Sequence, residues 1–175
     1  MAGLVPAIHV LLLANVDRKA WMPGPRPGMT VKMVDAVETQ NPKVTLRAAA
    51  LAKRDALPAA ERQAAAEAIA ARGLPVAVRA GTIVSGFMPL KSEVNPLLLL
   101  KALAEHGARL ALPAIAGRGK PLIMRAYAFG DEFARGQWGI REPKADQPEV
   151  APDILIVPLA CFDRAGHRIG YGAGY

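Results

Sequence analysis

Apolar and polar positions along the chain divide it into runs with different periods. Residues 44–57 and 59–72 mix Ala and Leu with Arg, Glu and Gln, all good helix formers, and Pro58 stands where a second helix opens. Two consecutive helices are predicted, the second closing near Gly73. Thr82–Met88 is a short β-branched and apolar run between Gly81 and Pro89, the pattern of a buried strand. Asn95-Pro96 is a helix start, after which Leu97, Leu100, Leu103 and Ala104 form one apolar face before Gly107 stops it. Arg109–Ile115, Leu122–Phe129 and Asp153–Phe162 read as further strands, and residues 144–152 as a polar connector. The order helices, strand, helix, strand, strand, loop, strand predicts an α/β fold with a largely buried mixed sheet.

The first thirty residues stand apart. Met1–Ala14 is apolar but shorter than the roughly 20 residues of a membrane span. It also lacks the positive start and the small-residue cleavage site of a signal peptide. Residues 21–29 are dense in Pro and Gly. Residues 1–30 are therefore expected to be a disordered or mis-started leader resembling repeat-derived translations, with Met29 or Met33 as the true start and 31–175 as one domain.

With 52% apolar residues in 175, the chain can build one core. Its single cysteine, Cys161, excludes an internal disulfide and a Cys-rich zinc site, so a cytoplasmic setting is expected. The net charge is +7, and the leader contributes Arg18, Lys19 and Arg26 against Asp17, so residues 31–175 keep +5. An anionic ligand suits that charge. No run of like charges marks a nucleic-acid tail, and no aromatic platform for stacking bases is evident. Neither nucleic acid nor membrane is expected as a partner, and a monomer is expected.

Candidate chemistry concentrates at the end. After the apolar Asp153-Ile-Leu-Ile-Val-Pro158 and the turn at residues 163–166, the chain reads Gly170-Tyr-Gly-Ala-Gly-Tyr175. Alternating glycines let backbone amides converge on phosphate oxygens without Cβ interference. The two standard nucleotide loops, G-x-x-x-x-G-K-[ST] and G-x-G-x-x-G, are absent, and spacing alone leaves a phosphate loop and a flexible turn both open.

The longer string DILIVPLACFDRAGHRIGYGAGY resembles the signature of the 5-formyltetrahydrofolate cyclo-ligases. Three other places carry the same resemblance: Lys43-Val-Thr-Leu-Arg47, the segment from Phe87 and Met88 to Glu93, and Trp138-Gly-Ile-Arg-Glu-Pro143. It implies a three-layer α/β/α sandwich with a mixed, largely parallel sheet, similar to ribose-5-phosphate isomerases and CoA transferases. It further implies ATP-dependent closure of 5-formyltetrahydrofolate to 5,10-methenyltetrahydrofolate, with Mg²⁺. The ATP site would comprise Lys43, Arg47, Arg168, Ile169, Gly170, Tyr171, Gly172, Ala173, Gly174 and Tyr175. The folate site would use Met88, Glu93 and Tyr171 to Tyr175. Family members often carry Lys or Gly where Ala173 stands here, and they continue past the last Tyr with Tyr-Asp, whose Asp binds Mg²⁺, and then a helix and strands. The domain is therefore expected to be incomplete at its C-terminus, and a remnant that binds without turnover is the alternative.

Bland readings stand beside these roles. Lys43 and Arg47 could belong to a solvated basic helix face shared with Lys53 and Arg54, and Glu93 could be an exposed acid near a helix start. Trp138 could wall a ring ligand or simply pack. No histidine is assigned a role in catalysis, and no residue of the chain is expected to act as a covalent nucleophile or to ligate metal.

Overall fold

The computed structural model describes residues 41–163 and 165–171. The expected leader, and Gly172, Ala173, Gly174 and Tyr175 of the glycine loop, lie outside the described residues.

Helix α1 spans Pro42–Asp55 and starts two residues earlier than the pattern predicted. Asn41 is the reason: its side chain accepts the Lys43 amide at 3.1 Å, and Pro42 fills a first-turn position where no intrahelical N–H is needed. α1 buries no residue fully, yet Arg47, Ala50, Leu51 and Arg54 are half-buried along one stripe. Helix α2 spans Ala59–Arg72, bounded by Pro58 and by Gly73 at φ 71°, as expected.

Strand β1 (Ile83–Ser85), helix α3 (Leu97–Glu105) and strand β2 (Arg109–Ile115) form a β-α-β unit whose strands pair in parallel, Val84 opposite Leu110. Asn95 Oδ1 accepts the Leu97 amide at 3.0 Å to open α3. Gly107, at φ 89°, turns the chain out of it. Strand β3 (Leu122–Tyr127) returns antiparallel to β2, and β6 (Ile154–Leu155) adds in parallel on the far side of β1. The sheet order β3-β2-β1-β6 is thus mixed and mostly parallel, as the sequence led us to expect.

Strand alternation puts Val84, Leu110, Leu112, Tyr127 and Ile154 on one face. All are buried in a core shared with Leu99, Leu100 and Leu103 of α3, and Ile69 and Ala70 of α2 pack against it. Each such side chain contributes roughly 1.5–3 kcal/mol by leaving water. Gly86 continues the Val84 face, and a Cβ there would run into the Leu100 side chain, so α3 seats directly on the strand end.

Two expectations need correction. The strand predicted over Asp153–Phe162 is two strands, β6 and β7 (Cys161–Phe162), in different sheets. Pro158 divides them because it has no amide to donate. Ile156 still donates to Ser85, whereas Ala160 donates to Ile169 in β8 (Arg168–Ile169). A small antiparallel ribbon, β4 (Phe133–Arg135) with β5 (Arg141–Pro143), was missed, and a 3-10 turn at Gln137–Gly139 carries Trp138 within it. The expected connector at residues 144–152 lies along β3: Arg125 donates to the carbonyls of Ala145 and Gln147 at 2.9 and 2.7 Å and to Glu149 at 3.2 Å.

Candidate functional site

β1 and β6 are adjacent and parallel, so the segments that follow them leave the same edge of the sheet. Open α/β sheets hold ligands at this edge. After β1 the chain passes through Phe87 and Met88, both buried in the core, and turns at Lys91, whose φ of 52° is left-handed. Glu93 secures that turn by accepting the Leu90 amide on Oε2 at 2.8 Å. Burial pushes the Glu93 carboxyl above the ordinary glutamate range, while the Leu90 amide and the Arg54 charge pull it back.

After β6 the chain enters the β7–β8 hairpin. Asp163 fixes its turn by accepting the amides of Ala165 and His167 at 2.9 and 3.0 Å, and its carboxylate also meets His167 Nδ1. These bonds, the His167 side chain first, hold the Asp163 carboxyl below its usual range. The hairpin delivers Arg168, Ile169, Gly170 and Tyr171 to the sheet edge. A side chain at Gly170 would meet nothing within 4 Å among the described residues, which leave the approach to that backbone open.

Helix α1 spans both segments. Lys43, Arg47 and Arg54 fall within about 40° of one another around a helix of 3.6 residues per turn. Arg47 Nε donates to the Gly170 carbonyl at 2.7 Å. Arg54 donates through Nε to Ser92 Oγ at 3.0 Å and through a terminal nitrogen to the Tyr171 hydroxyl, its guanidinium carbon lying 5.1 Å from the ring centroid. Ser92, buried, in turn donates its hydroxyl hydrogen bond to Asp55 Oδ1. Lys43 is exposed on the same face at the first turn, where the helix dipole favours an anion.

The structure thus joins Arg47, Gly170 and Tyr171, and it sets Glu93 beside Arg54. Met88 is buried in the core, and Arg168 is exposed on β8 with Ile169 half-buried beside it. Arg54, Ser92 and Asp55 were missed as site residues. A signal existed for Arg54, which follows Arg47 by seven residues, two helical turns; Ser92 and Asp55 had none. Three cations along one helix, facing a glycine-bearing loop with open backbone, make a surface for a polyanion such as a nucleotide triphosphate.

The model of the 5-formyltetrahydrofolate cyclo-ligase family matches residues 39–175, the stretch that contains both α1 and the glycine loop. The chain belongs to this family. A 5-formyltetrahydrofolate cyclo-ligase from Mycolicibacterium smegmatis is 36% identical over 146 residues, covering 76% of this chain and 72% of the relative. One from Escherichia coli K12 is 32% identical over 133 residues, covering 70% and 71%. The NMR structure of Aquifex aeolicus 5,10-methenyltetrahydrofolate synthetase superposes with a TM-score of 0.63 at 28% identity, over 74% of this chain and 67% of that one. Cyclo-ligase membership therefore rests on sequence and fold together. No described helix is long and apolar enough to cross a membrane.

Proposed function

We propose that this chain catalyses the ATP-dependent conversion of 5-formyltetrahydrofolate to 5,10-methenyltetrahydrofolate, releasing ADP and phosphate. Family membership supports the reaction, and the Arg47–Gly170 hydrogen bond carries the assignment of its ATP side. In this reading the formyl oxygen attacks the γ-phosphorus and ADP leaves. N10 then adds to the activated carbon and loses its proton, and phosphate departs to leave the methenyl bridge.

The chemistry calls for positioning and charge neutralisation, with no covalent protein nucleophile. Lys43, Arg47 and the loop amides from Arg168, Ile169 and Gly170 through Tyr171, Gly172, Ala173, Gly174 and Tyr175 would hold the phosphates. Glu93, whose Oε2 already takes the Leu90 amide, has Oε1 to accept a pterin N–H. Such a bond favours its ionised form against burial. Met88 and the residues from Tyr171 to Tyr175 would line the folate side. The excess of basic residues suits two polyanionic substrates.

Magnesium enters with the nucleotide. Among the described residues no three His, Cys, Asp or Glu side chains cluster as a metal site. A monomer in a reducing cytoplasm completes the reading, in keeping with the lone Cys161.

Mixing the protein with ATP, Mg²⁺ and 5-formyltetrahydrofolate and following the methenyl chromophore tests the proposal. The expected result is one chromophore formed per ATP consumed. Calorimetric binding of ATP or folate without any chromophore would reduce the function to ligand binding.

A further inference from the structure

Arg54 is held from two directions by segments far apart in sequence. Its Nε bonds Ser92 Oγ in the turn after β1, at 3.0 Å. Its terminal nitrogen bonds the Tyr171 hydroxyl at the end of the β7–β8 hairpin. The ring of Tyr171 also lies within cation–π distance of the guanidinium, 5.1 Å from its centroid. Ser92 is buried, and its hydroxyl is fixed on its other side by Asp55, the residue after Arg54 on α1. The turn bearing Glu93 and the loop bearing Gly170 are therefore tied to the same turn of α1. A planar fork donates along two fixed vectors at once; a lysine ammonium on a flexible stem offers no such pair of fixed vectors.

We propose that Arg54 is a positioning residue that couples the Ser92–Glu93 turn to the Gly170–Tyr171 loop and so sets the spacing of the two halves of the site. The inference rests on the cyclo-ligase reading for its kinetic consequence and on the contacts of Arg54 alone for its structural one. Arg47 grips the loop backbone one subsite away, so Arg54 acts on the orientation of Tyr171 while Arg47 anchors the strand end.

The test compares the unaltered protein with Arg54→Ala, Arg54→Lys, Tyr171→Phe and the Arg54→Ala/Tyr171→Phe double variant. It reads KM for ATP, KM for 5-formyltetrahydrofolate, kcat, and amide hydrogen exchange across residues 168–171. Arg54→Ala removes both hydrogen bonds and the cation–π contact, and loss of the Tyr171 tie alone is expected to raise KM for ATP about tenfold. Arg54→Lys should fold normally yet fail to restore that KM. The double variant should be no worse than Arg54→Ala alone, because both changes break the same link. Exchange at 168–171 should quicken in both Arg54 variants. Unchanged ATP KM and unchanged loop exchange in a folded Arg54→Ala or Arg54→Lys protein would overturn the coupling, as would additive losses in the double variant. If the unaltered protein forms no methenyl product, the functional reading fails, and the exchange comparison still decides the coupling.

Discussion

Arg47 Nε donates to the carbonyl oxygen of Gly170 at 2.7 Å, a bond that joins α1 to the glycine loop across 123 positions of sequence. Because it is exposed, its net worth to folding is on the order of 1 kcal/mol. Its charge matters more once phosphate oxygens arrive, where a charge-assisted bond contributes about 1.5–3 kcal/mol. Arg47→Ala is therefore expected to raise KM for ATP by about tenfold or more, with a thermal midpoint within a few degrees of the original. Arg47→Lys should fall between the two. Steady-state kinetics and thermal melts of the three proteins check this.

Glu93 gives a pH dependence of definite sign. Burial raises its carboxyl in the folded state, so the native protein binds the proton more tightly than the unfolded chain. Stability contributed by this group is then fully present at acid pH and falls as pH rises from the ordinary glutamate range through the raised folded value. Carbon-13 NMR of the Glu93 carboxyl should show a midpoint above that of an ordinary glutamate. Arg54→Ala should move it higher, since the Arg54 charge is one of the influences that lower it. Glu93→Gln should remove the slope of stability with pH in this window, as followed by denaturant unfolding. A midpoint in the ordinary range would contradict the burial argument.

How much of this was legible in the sequence depended on how local the cause was. α2 ran over Ala59–Arg72 as expected because Pro58 and Gly73 fix its ends from within. Asn95 opened α3 for the same reason. The β4–β5 ribbon was invisible, since three-residue strands have no readable period. A neighbour on β3 and a contact across the ribbon hold it: Phe133 packs on Tyr127 with centroids 5.5 Å apart, and Arg141 lies over the Phe133 ring. β7 was read as a continuation of β6 because the apolar run does not change at Pro158, although the pairing partner does. In the site, the helical spacing of Lys43 and Arg47 made a shared face readable. The grip of Arg54 on Ser92 and Tyr171 depends on the parallel pairing of β1 and β6, which no local pattern announces.

The seating of α3 on β1 gives a packing prediction. A Cβ at Gly86 would run into the Leu100 side chain, which is fully buried. Gly86→Ala is expected to cost about 1–3 kcal/mol through overpacking. Leu100→Ala is expected to cost about 2–5 kcal/mol through the cavity it leaves. The two changes are complementary in volume, so the double variant should lose less than the sum of the singles. Denaturant midpoints of the four proteins measure the coupling, and strict additivity would show that α3 can shift away from the strand.

Gly136 and Glu142 make a second such pair, in the ribbon that carries Trp138. The buried Glu142 carboxylate crosses Gly136 closely enough that an added Cβ would collide with it. Its Oε2 accepts the Ile115 amide at 3.3 Å, clasping β5 to the end of β2, while Oε1 has no partner among the described residues. Gly136→Ala must therefore displace the carboxylate or shift the ribbon, at about 1–3 kcal/mol by overpacking. Displacement would also strand the Ile115 amide without its acceptor, which adds about 1–3 kcal/mol if that group stays buried. Glu142→Gln keeps the shape and an acceptor oxygen for Ile115, so it should cost much less than Glu142→Ala. Adding Gly136→Ala to the Glu142→Ala background should cost little further, since the colliding atoms are gone. Thermal midpoints of the four variants decide the matter: an equal penalty for Gly136→Ala in both backgrounds would show that the glycine answers to backbone conformation and not to the carboxylate lying across it.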